Sequence, residues 1–243
     1  DCVRHIIQRN VEKGLLPTYS HNLIDMSHQY CTIGINALYE ATKYFGGIET
    51  DEFGNNFYTE EGLKFASDVL DFINEVKDSY DLGYSINIES IPAERAAVCF
   101  AQKDNLLFNP CSEEYIYSNQ WIALKDKATL QERVRVSSVL DKKCGGGVIL
   151  HINIDAPFQN KEQAWKALNY VASNGVIYFA FNLRINLCEQ NHSFTTKRCP
   201  ICGGEPVETY QRIVGYLVPT HAYSSERKRE FGDRYWLDGT DIG

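Results

Sequence analysis

Polar and apolar positions along this 243-residue chain follow two periods, one helical and one alternating. Near the amino end, Val3, Ile6, Ile7 and Val11 recur at helical spacing, and Gly14 and Pro17 stop the run. A second helix is predicted over Cys31–Phe45, with Ile35, Leu38, Tyr39, Thr42 and Phe45 on one face and Gly46-Gly47 beyond it. Gly54-Asn55-Asn56 predicts a surface turn. Thr59-Glu60-Glu61 then opens a strong amphipathic helix. Its apolar face is Leu63, Phe65, Ala66, Val69, Leu70, Phe72, Ile73 and Val76. Tyr84–Glu89 alternates like a strand, and Ala93–Gln102 is helical in pattern. Tyr115–Ile122 is extended or irregular, and Leu130–Leu140 is a helix with basic residues on its outer side. Gly145-Gly146-Gly147 breaks the chain as a tight turn into a buried-type strand, Val148–Ile154. A helix over Glu162–Ala172, a turn at Asn174-Gly175 and a second buried strand, Val176–Phe181, follow. Strands alternating with helices predict an α/β fold.

Composition narrows the class. Hydrophobic residues make up 44% and charged residues 23%, which is globular rather than disordered. A net charge of -8 argues against a protein that coats nucleic acid or holds a membrane through basic residues. The longest apolar stretch, Val176–Phe181, is far short of the ~20 residues a membrane helix needs. No signal peptide opens the chain, and the first residue is Asp1 rather than Met. The expectation is a cytoplasmic chain that is a piece of a longer polypeptide, or a processed one.

The eight cysteines lie at 2, 31, 99, 111, 144, 188, 199 and 202. Five are scattered, and three crowd into one segment with a histidine. A reduced protein with one metal site fits this better than a disulfide-stapled secreted domain. The segment reads Cys188-Glu-Gln-Asn-His192, then Cys199-Pro-Ile-Cys202-Gly-Gly204. A C-x-x-C turn points two sulfurs at one ion, and glycines favour the tight knuckle. Cys188 and His192 can complete a Cys3His tetrahedron, a donor set that favours Zn2+ in a closed, structural site. A redox pair or unligated thiols are the alternatives. Only Lys197 and Arg198 sit on the knuckle, so binding to nucleic acid is not expected.

Beyond the knuckle comes Arg212-Ile-Val-Gly215-Tyr-Leu217. By itself, a glycine between β-branched and aromatic residues marks a bulge or a close backbone approach. Together with Tyr223-Ser-Ser-Glu-Arg-Lys-Arg-Glu-Phe231 and Tyr235-Trp236, however, the region resembles the carboxy-terminal end of class III anaerobic ribonucleotide reductases. The resemblance covers essentially the whole chain. Gly14-Leu-Leu-Pro-Thr-Tyr19, Gln29-Tyr-Cys-Thr-Ile-Gly-Ile-Asn36 with Tyr39-Glu40, Ile91-Pro-Ala-Glu-Arg-Ala-Ala97, Tyr117-Ser-Asn-Gln120 and Gly145-Gly-Gly-Val-Ile-Leu-His-Ile-Asn153 follow in the family's order.

The resemblance implies a glycyl radical on Gly215, installed by a radical S-adenosylmethionine activase. It implies reduction of ribonucleoside triphosphates to deoxyribonucleotides, the precursors of DNA replication, with formate or a dithiol as reductant, in a homodimer. It further implies the second half of a ten-stranded α/β barrel at 1–185, a zinc-binding knuckle at 186–206, and the radical loop and tail at 207–243. The family's thiyl-forming cysteine lies on a finger loop upstream of every matched segment. Cys31, Cys99, Cys111 and Cys144 are therefore poor substitutes for it. They are expected to be small buried hydrophobes or partly exposed thiols, with Cys111 the one in a polar stretch.

By the same resemblance, Pro92, Ala93, Glu94, Arg95 and Ala96 could hold substrate phosphates where a helix begins; a plain helix start is the alternative. His151, on an apolar strand, is expected to be a hydrogen-bonded core residue rather than a base. Three function classes stand: the reductase, another glycyl radical enzyme or detachable radical subunit, and a zinc-ribbon binding module without a radical.

Overall fold

The computed structural model describes residues 2–90, 94–108, 114–213 and 216–239. Helix α1 (Cys2–Glu12) buries none of its residues, and Gly14 follows it at φ 68°. Pro17 opens the short helix α2 (Pro17–Ser20) rather than closing the first one.

The helix expected over Cys31–Phe45 is instead a strand and a helix. Strand β1 (Cys31–Gly34) is followed by α3 (Leu38–Tyr44). Ile33 and Ile35 reach the core by alternation, a period-2 pattern that mimics part of a helical face over five residues. Strands β2 (Ile48–Thr50) and β3 (Asn56–Tyr58) form a hairpin around the expected turn. The Asp51 carboxylate shapes that turn by accepting the Phe53 and Asn55 N–H groups at 2.9 and 2.7 Å.

Helix α4 (Glu60–Asp78) begins where expected, with the Thr59 hydroxyl accepting the Gly62 N–H at 2.9 Å. Leu63, Ala66 and Leu70 are buried, but Phe72 is 65% exposed, so the buried stripe is narrower than the apolar one. Strand β4 (Ile86–Glu89) pairs in parallel with β1, Ile33 opposite Ile88, and α5 (Glu94–Leu107) follows.

Helix α6 (Leu130–Leu140) is capped by Thr129. One basic residue expected on its outer side is inside: Arg133 is only 4% exposed. It donates to the Ile122, Ala123 and Asp126 carbonyls, fixing the irregular segment that a helix or strand would have satisfied internally. Strand β5 (Leu150–Asn153), helix α7 (Lys161–Ser173) and strand β6 (Phe179–Asn182) form a parallel βαβ unit. Both strands are shorter than the apolar runs that predicted them, and Ile177 and Tyr178 lie exposed ahead of β6.

Strands β7 (Ile185–Leu187), β8 (Ser193–Phe194), β9 (Glu208–Ile213) and β10 (Tyr216–Pro219) make an antiparallel sheet in the order β10-β9-β7-β8. Helix α8 (Ser225–Asp233) follows, and the chain then returns to β5. There Leu237 bridges Ile154 in parallel, donating to the Asn153 carbonyl at 2.9 Å.

Two apolar clusters form the core around β1, β4, β5 and β6. The first gathers Leu38, Tyr39, Tyr58, Leu70 and Ile88. The second gathers Leu130, Val134, Leu150, Ile152 and Val171. Each parallel strand turns one face to a cluster and leaves a polar face opposite: Thr32 on β1, Asn87 and Glu89 on β4, His151 and Asn153 on β5, Asn182 on β6. Among the described residues no helix is long and apolar enough to cross a membrane.

Candidate metal centre

The four expected ligands converge. The Sγ atoms of Cys188, Cys199 and Cys202 and a ring nitrogen of His192 all lie within 4.8 Å of one another. His192 Nδ1 is 3.5 Å from Cys188 Sγ and 3.6 Å from Cys199 Sγ, and the Cys202 and Cys188 sulfurs are 3.6 Å apart. A zinc tetrahedron with ordinary bond lengths has edges of about 3.8 Å between sulfurs and about 3.6 Å between sulfur and nitrogen. The donor set and its spacing fit that ion.

Local backbone explains the positions. Cys188 follows β7 and His192 precedes β8, so the β7–β8 turn carries both. Asn191 takes φ 60°, and its N–H donates to the Cys188 carbonyl at 2.8 Å. Asparagine tolerates this left-handed conformation, so position 191 makes the turn and position 192 supplies the ligand. In the knuckle, Gly203 takes φ 72° and donates to the Cys199 carbonyl at 2.9 Å, while the Cys199 N–H donates to Gly204 at 2.9 Å. Burial opposes ionisation of Cys199, but the Cys202 and Ile201 N–H groups outweigh it and bring the thiol down to about 6. A thiol ready to ionise is what a metal ligand requires.

The same sheet flanks Gly215. Strand β9 pairs with β7 on one side and with β10 on the other, and its last residue, Ile213, is opposite Tyr216. Gly215 itself, with Val214, lies outside the described residues. Tyr216 and Leu217, which follow it on β10, are exposed.

At the other expected site, Pro92 and Ala93 lie outside the described residues. Helix α5 begins at Glu94, and Arg95 is exposed in its first turn. The Tyr117 N–H donates to the Ala97 carbonyl at 3.3 Å, which joins the 117–120 segment to α5.

Of the scattered cysteines, Cys2, Cys31 and Cys99 are exposed and Cys144 is half-buried against the first apolar cluster, so of the two expected readings they fit the exposed thiols rather than the small buried hydrophobes. Cys111 lies outside the described residues. His151 is hydrogen-bonded, as expected: Nδ1 accepts from Asn182 Nδ2 at 3.0 Å. Burial, with Arg234 and Arg212 nearby, pulls its pKa down to about 4, so the ring is neutral.

Sequence reasoning missed the polar face that each of these strand pairs carries. Its signal was available as polar residues at every second position of otherwise apolar strands: Thr32, then Asn87 and Glu89, then His151 and Asn153.

A family model described as anaerobic ribonucleoside-triphosphate reductase matches residues 1–236. An anaerobic ribonucleotide reductase structure is 42% identical with a TM-score of 0.90, covering 97% of this chain and 38% of its own. A Thermotoga maritima anaerobic ribonucleotide reductase with glycerol in its active site is 43% identical with a TM-score of 0.85, covering 94% of this chain and 38% of its own. The same organism's enzyme in complex with dATP and CTP is 41% identical with a TM-score of 0.83, covering 96% and 38%. This chain thus spans under two-fifths of the length of those structures. No curated protein matches it. With a family model covering nearly its whole length and solved relatives above 40% identity, the chain belongs to the anaerobic ribonucleoside-triphosphate reductase family.

Proposed function

We propose that this chain is the radical-bearing, carboxy-terminal part of an anaerobic ribonucleoside-triphosphate reductase. Gly215 carries the glycyl radical, and Cys188, His192, Cys199 and Cys202 hold a structural zinc ion. The observation that carries this reading is the shared sheet. The turn holding Cys188 and His192 is hydrogen-bonded through β7 to β9, which runs directly to Val214-Gly215. Four protein ligands leave zinc no open position, so the ion supplies folding free energy rather than chemistry.

A radical on the glycine Cα is stabilised by the amide nitrogen on one side and the carbonyl on the other. Planarity is needed for both, and a Cβ would crowd it. Following the family, an iron–sulfur radical S-adenosylmethionine activase removes a hydrogen atom from Gly215. The glycyl radical takes one from a cysteine thiol, and the resulting thiyl removes the 3′ hydrogen of the ribonucleotide. The 2′ hydroxyl leaves as water, and formate or a dithiol supplies the two electrons. The thiyl cysteine is not among those of this chain.

The substrate class rests on membership of the family and on the relative that binds dATP and CTP. Pro92–Ala96, at the start of α5, receive the substrate phosphates in this reading; Arg95→Ala in the complete enzyme should weaken nucleotide binding. The parallel pairs β1–β4 and β5–β6 belong to the second half of a ten-stranded barrel. The divisions fall at 185/186 and 206/207, with the last two segments sharing one sheet. The assembly is a cytoplasmic homodimer.

Anaerobic incubation of the complete enzyme with its activase should give a glycyl doublet in electron spin resonance. Gly215→Ala should abolish it. Absence of the doublet under validated activation sinks the radical assignment. Metal analysis should find about one zinc per chain, lost in Cys199→Ser, and its retention in His192→Ala would point to a different fourth ligand.

A further inference from the structure

On the polar face of β1 and β4, three side chains form a relay. The Thr32 hydroxyl donates to Asn87 Oδ1 at 2.7 Å, and Asn87 Nδ2 donates to Glu89 Oε1 at 2.7 Å. Asn87 is buried and Glu89 half-buried, at the end of β4 and three residues before the segment proposed to hold phosphate.

The far side of the carboxylate is closed by glycine. The run Gly145–Gly147, expected to be only a turn, lies alongside β4. Gly146 donates to the Ile88 carbonyl at 3.3 Å, and Ser90 donates to the Gly147 carbonyl at 3.1 Å. A Cβ on Gly147 would sit 2.5 Å from Glu89 Oε2. One on Gly146 would sit 2.6 Å from Asn87 Nδ2 and 2.8 Å from Glu89 Oε1. Neither glycine has a positive φ, so their backbones do not demand glycine. What demands it is the room taken by the Asn87 and Glu89 head groups.

The contrast with Gly62 is instructive. A Cβ there would lie 2.0 Å from the Gly47 carbonyl oxygen, a backbone atom that can move only with the chain leading into β2. At Gly146 and Gly147 the obstructed atoms are the ends of side chains, which can rotate away. An added methyl therefore moves the carboxylate and spares the fold.

We propose that Thr32, Asn87, Gly146 and Gly147 are positioning residues that fix the Glu89 carboxylate toward the ribose hydroxyls of the substrate. A carboxylate with one oxygen tied to an amide, and the other beside Gly147 with no room for a methyl between them, is held in one orientation for as long as position 147 lacks a side chain. That is what an acceptor for a ribose hydroxyl needs during hydrogen-atom transfer at the adjacent carbon. The inference rests on the proposed reductase activity and adds residues to that site.

The test uses the complete enzyme activated anaerobically, with spin concentration, zinc content and steady-state kinetics measured on each variant. Gly147→Ala and Thr32→Val should keep the full glycyl doublet and zinc. Turnover should fall about ten- to a hundred-fold, the scale of a misplacement of about 1 Å. The loss should fall on kcat more than on KM, and Thr32→Ser should restore it. Glu89→Gln should be at least as impaired as Gly147→Ala. The proposal is overturned if Gly147→Ala and Thr32→Val turn over within two-fold of the parent. It is equally overturned if they lose the doublet and turnover together, because the run then serves folding. Failure of the unmodified enzyme to form the doublet would instead count against the reductase reading.

Discussion

Residues 2–182 and the β7–β10 sheet are held together by different means. The larger region closes over two apolar clusters built from helices α3, α4, α6 and α7 and from the strands they cover. The sheet has a cluster of three buried residues, Cys188, Phe194 and Cys199, and two of those are metal ligands in our reading. Buried apolar surface contributes about 25 cal/mol per Å2, so one phenylalanine and two thiols cannot offset the ordering of four strands. In our reading, a metal takes the place of the missing core. The sheet that flanks Gly215 therefore depends on an ion in that reading, while residues 2–182 do not.

The largest effect should come from removing that ion. Structural zinc sites contribute on the order of 10 kcal/mol or more to their folded form. A strong chelator, or Cys199→Ser, should abolish hydrogen-exchange protection across β7, β9 and β10 while α4 and α6 keep theirs. Uniform loss across both regions, or none in the sheet, would break the comparison.

The complementary experiment strikes the apolar region. Leu70 is fully buried on α4, and truncation to alanine should cost 2–5 kcal/mol, about the range for a buried leucine. Denaturant unfolding should register this, and zinc content should be unchanged. A smaller effect, about 1–3 kcal/mol, is expected for Gly62→Ala. Its Cβ would meet the Gly47 carbonyl where α4 starts beneath the hairpin. If Gly62→Ala unfolds at the parental denaturant concentration, the close approach of those two backbones is not a constraint.

These sites differ in how legible they are in the amino-acid sequence. The metal ligands lie within fifteen residues, in a spacing fixed by turn geometry, so sequence alone assembles all four. Helix α4 announces itself by its cap and its long apolar stripe. The region 31–45 does not, because a four-residue strand and a seven-residue helix place their apolar residues close to one helical period. Arg133 is expected outside because an arginine on a helix usually is. Its partners are backbone carbonyls of an irregular segment, which no local pattern reveals. The polar faces draw Thr32, Asn87 and Glu89 from β1 and β4 and His151 and Asn182 from β5 and β6, strands far apart in the chain. Only tertiary pairing brings Asn87 to Thr32 and Asn182 to His151. Gly146 and Gly147 are legible as glycines and not as neighbours of a carboxylate.

The smallest effect joins the two regions. His151 lies on β5, yet after burial the causes of its low pKa are Arg234, beyond α8, and Arg212, on β9. A histidine held neutral at a folded pKa of about 4, against the ordinary 6.5, binds a proton less readily folded than unfolded. The stability it contributes is complete above pH 6.5 and is lost as pH falls from there toward 4. At pH 5.5 the difference is on the order of 1 kcal/mol, discounted because the ring is only half-buried. Urea unfolding at pH 7.5 and 5.5 should show the parent losing about that much more than His151→Gln. An equal loss in both would mean that the ring carries no such strain. Chelation should shrink the same difference, because Arg212 leaves with the melted sheet while burial between β5 and β6 and their neighbours remains. If chelation leaves it untouched, Arg212 does not act on the ring, and the two regions are electrostatically independent as well as separately held.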